Sequence, residues 1–446
     1  MTKRVVVSRR QRTTKAKDFT FTKKMVPSQN GSGALFVQEH RDRAWKAFES
    51  LPLPHTKLEP WRRTDIRKLD VGSFKLPDAS AAYPPVPEEI LRPLAGESHE
   101  GQIIITPNGI AITPLSEELR EKGVVFTDFA TAEREYPDLL QKALGKAVSP
   151  EDGKFAALTA AMAKNGVFVY VPRNVQVEQP LQSVLWAPGV GLAHFAHLLV
   201  YVEDGASLTY VHETSSPDET GGQTLTGLNI ELFVGTNAQL RFVELQTLGG
   251  HVWNFVHERA KVGRDGNMDW IFGTLGSELT KTFSDLDLIG DGSNGRMSGF
   301  YFPIGKQHLD QDTQQNHLAP HTTSDLLFKG ALRQNSRSVW QGMIYCAPSA
   351  QKIDGYQVNR NLLLDDTARG DSIPGLEILA DDVRCTHGTT VGNIDEELVY
   401  YLMTRGVERN DAERLIVDGF FDPIMARIPF EGVRERFAQA IQDKLA

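Results

Sequence analysis

The chain has 446 residues, 40% of them hydrophobic, and a formal net charge of −9. That length and apolar content exclude a disordered protein and suffice for two or three packed units. Two cysteines exclude a disulfide framework, and no stretch approaches the roughly 18 apolar residues of a membrane-spanning helix, so the expectation is a cytoplasmic protein with no membrane contact.

In chain order, residues 1–30 are basic, with Lys3, Arg4, Arg9, Arg10, Arg12, Lys15 and Lys17 set against Asp18. Such segments serve as nucleic-acid arms, membrane-surface segments or transit peptides, but most are solvated tails, and a tail that binds no nucleic acid is expected here. Residues 31–165 read as a mixed α/β region. Val37 to Ser50 has helical spacing with Val37, Ala44, Trp45 and Phe48 inward. Ile103 to Ile112 predicts a hairpin turned by Asn108-Gly109, and helices are expected over 136–144 and 155–164.

Over 166–392 β runs replace helical periodicity, beginning with Val167 to Val171. A unit recurs in which an apolar residue precedes a polar turn and another β run, at 202–206, 234–238, 262–266, 289–293, 332–336 and 363–367. Most intervals are about 27–32 residues, and one near 43 holds an insertion or a missed turn. Regular corners of this kind suit a β-solenoid, in which each coil covers its neighbours, with a β-sandwich as the alternative. His251, Trp253, Phe255 and His257 share one strand face and read as packed surface, and Cys346 as an inert core thiol. Residues 393–446 return to helix: Asp395 caps 396–404, Gly406 stops it, Asn410 caps 411–417, and 431–445 is amphipathic. These helices suit the covering of a solenoid end.

Two clusters carry metal-ligand chemistry. In Asp381 to Gly392, Cys385 and His387 fall on one face of a strand, with Cα atoms about 6.5–7 Å apart. A thiolate and an imidazole can share a metal, but a closed site takes about four ligands, so the others must come from another chain or be transient. The same doublet also fits a buried thiol beside a hydrogen-bonded histidine. The second cluster, His308, Asp310, Asp312, His317 and His321, has donors suited to zinc or iron at spacings that match no compact zinc motif. Asp310, Asp312, Asp365 and Asp366 also offer carboxylates for a polysaccharide lyase or glycosidase on a β-helix. The sequence contains no phosphate loop and no Cys-x-x-Cys pair, so any ATP hydrolysis belongs to a partner.

Asn361 to Gly406, including Gly375-Leu-Glu-Ile-Leu-Ala380 and Cys385-Thr-His-Gly-Thr-Thr-Val-Gly392, resembles the SufB/SufD family of iron–sulfur cluster assembly scaffolds. So do His308-x-Asp310, the block His317-x-Ala-Pro-x-Thr-x-Ser324, and Trp61-Arg-Arg-Thr64, where Arg63 replaces the usual aromatic. His387-Gly388-Thr389-Thr390 is similar to the SufD branch, whereas SufB chains tend to carry His-Glu-Ala-Thr. The match is close over 166–446 and looser over 1–165. The resemblance implies a mainly β protein, a right-handed parallel β-helix flanked by an N-terminal mixed α/β region and a C-terminal helical region. It further implies a non-catalytic scaffold that pairs with a SufB-like subunit, or with itself in isolation, and docks a SufC-like ABC ATPase through the terminal helices, whose Phe420, Phe421 and Ile424 read either as contacts for it or as packing within the end cap. On this resemblance Cys385 and His387 lie at the interface where iron or a nascent iron–sulfur cluster is held transiently, with none bound stably by this chain alone, and the 308–324 block shapes coils and corners.

Overall fold

The computed structural model describes residues 18–27, 34–92, 99–428 and 430–445. Short β runs joined by tight corners bury their apolar faces here by stacking coil on coil. From Asn165 to Asn393 the chain alternates between two sheets, and each strand pairs in parallel with the strand two positions further along the sequence. This is a parallel β-solenoid, and the sandwich alternative falls because the adjacent strands of this span are parallel and in register. Its lumen is filled by residues such as Leu198, Ile230, Phe242, Trp270, Met297, Leu326 and Trp340. In-register stacking places like on like, as in the run of rings Tyr210, Phe242 and Trp270.

The corners explain the period. Along one edge a single residue per coil adopts the left-handed conformation: Asn174, Gly205, Asn237, Asp265, Gly292, His321 and Lys352. Each N–H donates to a carbonyl of the next corner, Asn174 to Asp204, Gly205 to Thr236, Asn237 to Arg264, Asp265 to Asp291, Gly292 to Pro320, His321 to Gln351 and Lys352 to Asp382. Asn, Asp and Gly are the residues that tolerate this region best, which is why most of these corners are visible in the sequence. The interval near 43 holds no insertion. It skips the corner at 318–322, which Pro320 and His321 disguise, and resumes on the opposite edge of the solenoid at 333–336.

Both outer faces are covered. On one sheet, Trp253 and Phe255 are buried beneath the N-terminal region, where Phe155 stacks on Phe255 at 3.6 Å between ring centroids and Trp61 joins both. The helix Leu35–Ser50 buries Val37, Ala44, Trp45 and Phe48 as its spacing predicts, and the hairpin Gly101–Thr106 with Gly109–Thr113 extends one sheet at the N-terminal end. Residues 18–27 correct the tail expectation, since Phe19, Phe21 and Val26 are buried in this layer. The predicted tail over 1–17 and 28–30 lies outside the described residues.

The C-terminal helices Glu396–Thr404, Arg409–Met425 and Glu431–Leu445 correct the end-cap expectation. Asp395 caps the first as predicted, but the second starts at Arg409 and runs past Gly419 and Pro423. Instead of closing an end, the last two helices lie along the outer face of the other sheet. Phe421 and Phe437 pack there on Phe300, and Gly273 lets Phe437 approach, since a Cβ at Gly273 would meet its ring at 2.5 Å. The last coil, Arg369–Ile378 and Val383–Asn393, therefore has no strand beyond it among the described residues.

Candidate functional site at the open end of the solenoid

Cys385 and His387 stand on this last strand, whose only sheet neighbour among the described residues is Ile353–Leu363. Alternation turns Val383, Cys385 and His387 toward the lumen, but no further coil covers them, so Cys385 is half-buried and His387 exposed. Tyr356, Leu376, Ile378, Leu379 and Val391 are also exposed around this rim. An unpaired strand edge bordered by apolar side chains is a template for another chain.

The lumen brings up a thiol that sequence reasoning set aside. Cys346 ends the strand Arg337–Cys346 on the opposite sheet, is fully buried, and places its Sγ 3.6 Å from Sγ of Cys385. Cys346 is the core thiol that the sequence suggests, and its neighbour in that core is Cys385. The two sulfurs meet because the corners at 347–352 and 379–382 bring the ends of the two strands together across the lumen, through Ala347, Ala350, Ile353, Ala380 and Val383. The two thiols share an S–H···S contact, which holds the Cys385 pKa below the usual thiol range, with burial opposing it and the Gly355 N–H adding to the effect. The same contact pushes the Cys346 thiol up. The group that meets the Cys385 sulfur across the lumen is thus a second thiol. The available signal was that the only two cysteines flank corners of one coil.

The 308–321 block does not form one site. His308 and His317 occupy opposite ends of a single strand, roughly 30 Å apart at the usual rise. At one end, Asp310 is fully buried, paired with Lys281 Nζ at 2.9 Å and with the Thr64 hydroxyl, while Thr64 Oγ1 lies 2.9 Å from His308 Nε2. This network ties the Trp61–Thr64 motif to the solenoid, and burial lowers the His308 pKa to about 4. At the other end, His317 has both ring nitrogens occupied, by Thr322 Oγ1 at 2.7 Å and Ser324 Oγ at 2.9 Å. It lies near the two cysteines: a Cβ added to Gly355 would sit 3.2 Å from Cys385 Sγ and 3.4 Å from His317 Nε2. His321 is an exposed corner residue. Among the described residues no three His, Cys, Asp or Glu side chains are arranged to hold a metal.

The carboxylates proposed for glycoside chemistry are likewise engaged in structure. Asp310 and Asp312 face Lys281, and Asp365 and Asp366 accept hydrogen bonds at a corner, from Gln334 N–H and the Asn393 side chain. His251, Trp253, Phe255 and His257 are buried, in keeping with a packed face. Phe421 and Ile424 are fully buried, in keeping with the packing reading and not with docking contacts, and Phe420 is half-buried against Lys329. The exposed apolar residues of this region are Leu398, Tyr400, Tyr401, Met403 and Leu415. Among the described residues no helix is long and apolar enough to cross a membrane.

Comparison with known proteins adds the following. A family model described as "SUF system FeS cluster assembly, SufBD core domain" matches residues 186–420, and one for the SufBD protein N-terminal region matches 18–183. The iron–sulfur cluster assembly protein SufD of Bacillus subtilis (strain 168) is 32% identical over 431 residues, 92% of this chain and 96% of that protein. SufBD family proteins of Staphylococcus haemolyticus and Staphylococcus epidermidis are each 29% identical over 414 residues, 89% of this chain and 86% of theirs.

Proposed function

The chain belongs to the SufBD family of iron–sulfur cluster assembly proteins and is SufD-like within it, and from that premise we propose that it is the non-catalytic subunit that pairs through its open end with a SufB-like solenoid and docks a SufC-like ATPase through its helices. Iron or the nascent cluster is the cargo of that interface. Cys385 and His387 supply two ligands from this side and the partner supplies the rest. The observation that carries the reading is the uncovered strand Val383–Asn393, which presents a half-buried thiol and an exposed imidazole on one face at an unpaired sheet edge. The thiolate is the ligating form of cysteine, and the S–H···S contact with Cys346 favours it. For the ATPase, the exposed Tyr400, Tyr401 and Leu415 are favoured over the buried Phe421 and Ile424.

The test is reconstitution of the full chain with SufB-like and SufC-like subunits. His387→Ala is expected to lower iron–sulfur content with melting unchanged, Cys385→Ser to do so less, and Tyr401→Glu to weaken retention of the ATPase. Truncation after Gly392 is a poor substitute, because it uncovers the apolar face around Val243, Ile271 and Phe300. Normal cluster yield from the His387→Ala complex would overturn the ligand assignment, and undiminished ATPase binding by Tyr401→Glu would overturn the docking surface.

A further inference from the structure

Besides presenting one thiol, the open end holds a second thiol directly behind it. We propose that Cys346 and Cys385 form a reversible intrachain disulfide, making the lumen end a thiol–disulfide modification site that reacts with small disulfides of the glutathione class. The geometry carries this. The sulfurs are 3.6 Å apart and must close to about 2 Å. The side chains around them are Ile344, Ala347, Ala350, Ile353, Ala380 and Val383, and Gly355 has no side chain beside Cys385 Sγ, which leaves that side open for the sulfur to move. Cys385 rides on a strand bonded to a neighbour on one side only, which can shift without breaking a ladder on the other.

Exposure sets the order of events. Cys346 is fully buried and Cys385 half-buried at the rim, so a soluble disulfide meets Cys385 first. The Cys385 thiolate attacks one sulfur of the small disulfide, forming a mixed disulfide and expelling the first thiolate. Cys346 then loses its proton and attacks Cys385 Sγ, forming the intrachain bond and expelling the second thiolate. Two cysteines are oxidised, one small disulfide is reduced to two thiols, and a small dithiol reverses the sequence. On the function proposed above, closure also withdraws Cys385 as a ligand. Only that consequence depends on the proposed function.

The experiment uses the full-length chain alone, equilibrated in glutathione buffers of increasing oxidised fraction, quenched in acid, alkylated and weighed intact and as peptides. In the native chain both thiols are expected to disappear together, with a Cys346–Cys385 peptide pair and little glutathione adduct. In Cys346→Ser, and in Cys346→Ala as a second variant, the adduct on Cys385 should persist at about tenfold or more the native level. A native chain that accumulates glutathione on Cys385 while Cys346 stays alkylatable overturns the proposal, as does oxidation that yields only interchain Cys385 disulfides. Because the native chain decides these outcomes, poor folding of either variant leaves the test intact. A disulfide that forms without changing cluster yield in the reconstituted complex would count against Cys385 as a ligand and leave the modification site standing.

Discussion

Replacing Lys281 with methionine separates a structural reading of the 308–321 block from a metal-binding one. Lys281 and Asp310 are both fully buried, with Nζ 2.9 Å from Asp310 Oδ1, 3.5 Å from Asp312 Oδ2 and 4.6 Å from the centroid of the Phe283 ring. Methionine keeps the length of the side chain but leaves Asp310 with the Thr64 hydroxyl as its remaining bonded neighbour. An uncompensated buried carboxylate of this kind costs about 3–5 kcal/mol. Lys281→Met should therefore lower unfolding free energy by that amount, read by urea denaturation with tryptophan fluorescence. Because this network joins the Trp61 segment to the solenoid, the N-terminal layer should loosen first and show faster amide exchange around Trp61 and Thr64. Adding Asp310→Asn removes the stranded charge and should recover most of the loss, while leaving iron content in the reconstituted complex unchanged. A loss below about 1 kcal/mol for Lys281→Met, or no recovery in the double variant, would refute the buried-pair argument.

Two further outcomes follow from the lumen and the corners. Glu258 is buried beside Glu244, and burial together with that neighbour pushes its pKa well above the usual carboxylate range, while burial raises Glu244 to about 7. Raised folded-state values mean that the stability this pair contributes is present at low pH and lost as pH rises through the raised range, so stability should fall between pH 5 and pH 9. Glu258→Gln removes the carboxyl that its neighbour pushes up and should shrink, without abolishing, the loss in urea melts at the two pH values, since burial still raises Glu244; equal losses in variant and native protein would contradict the coupling. His321 has φ of 58° at its corner, so His321→Gly should keep stability within about 1 kcal/mol and leave cluster yield unchanged, whereas a fall in iron content would restore its candidacy as a ligand.

The sequence by itself determined the features that depend on local chemistry. The recurrence of Asn, Asp and Gly at corners such as Asn237, Asp265 and Gly292 marks where an L-residue chain can turn, and that spacing already specifies a coil length. Helical spacing from Val37 to Phe48, the cap at Asp395 and the Asn108-Gly109 hairpin are likewise local, and the structure keeps them. A strand period of two suffices to put Cys385 and His387 on one face. Only the tertiary structure decided what those faces meet. The rule that each strand pairs with the second one along, not the next, sets Cys346 against Cys385 across the lumen and buries Asp310 against Lys281 of the neighbouring strand. An amphipathic helix shows that it must bury a face, not which surface receives it. The last two helices therefore looked equally suited to an end cap, until the apolar outer face at Val243, Ile271 and Phe300 claimed them and left the strand bearing Cys385 and His387 uncovered.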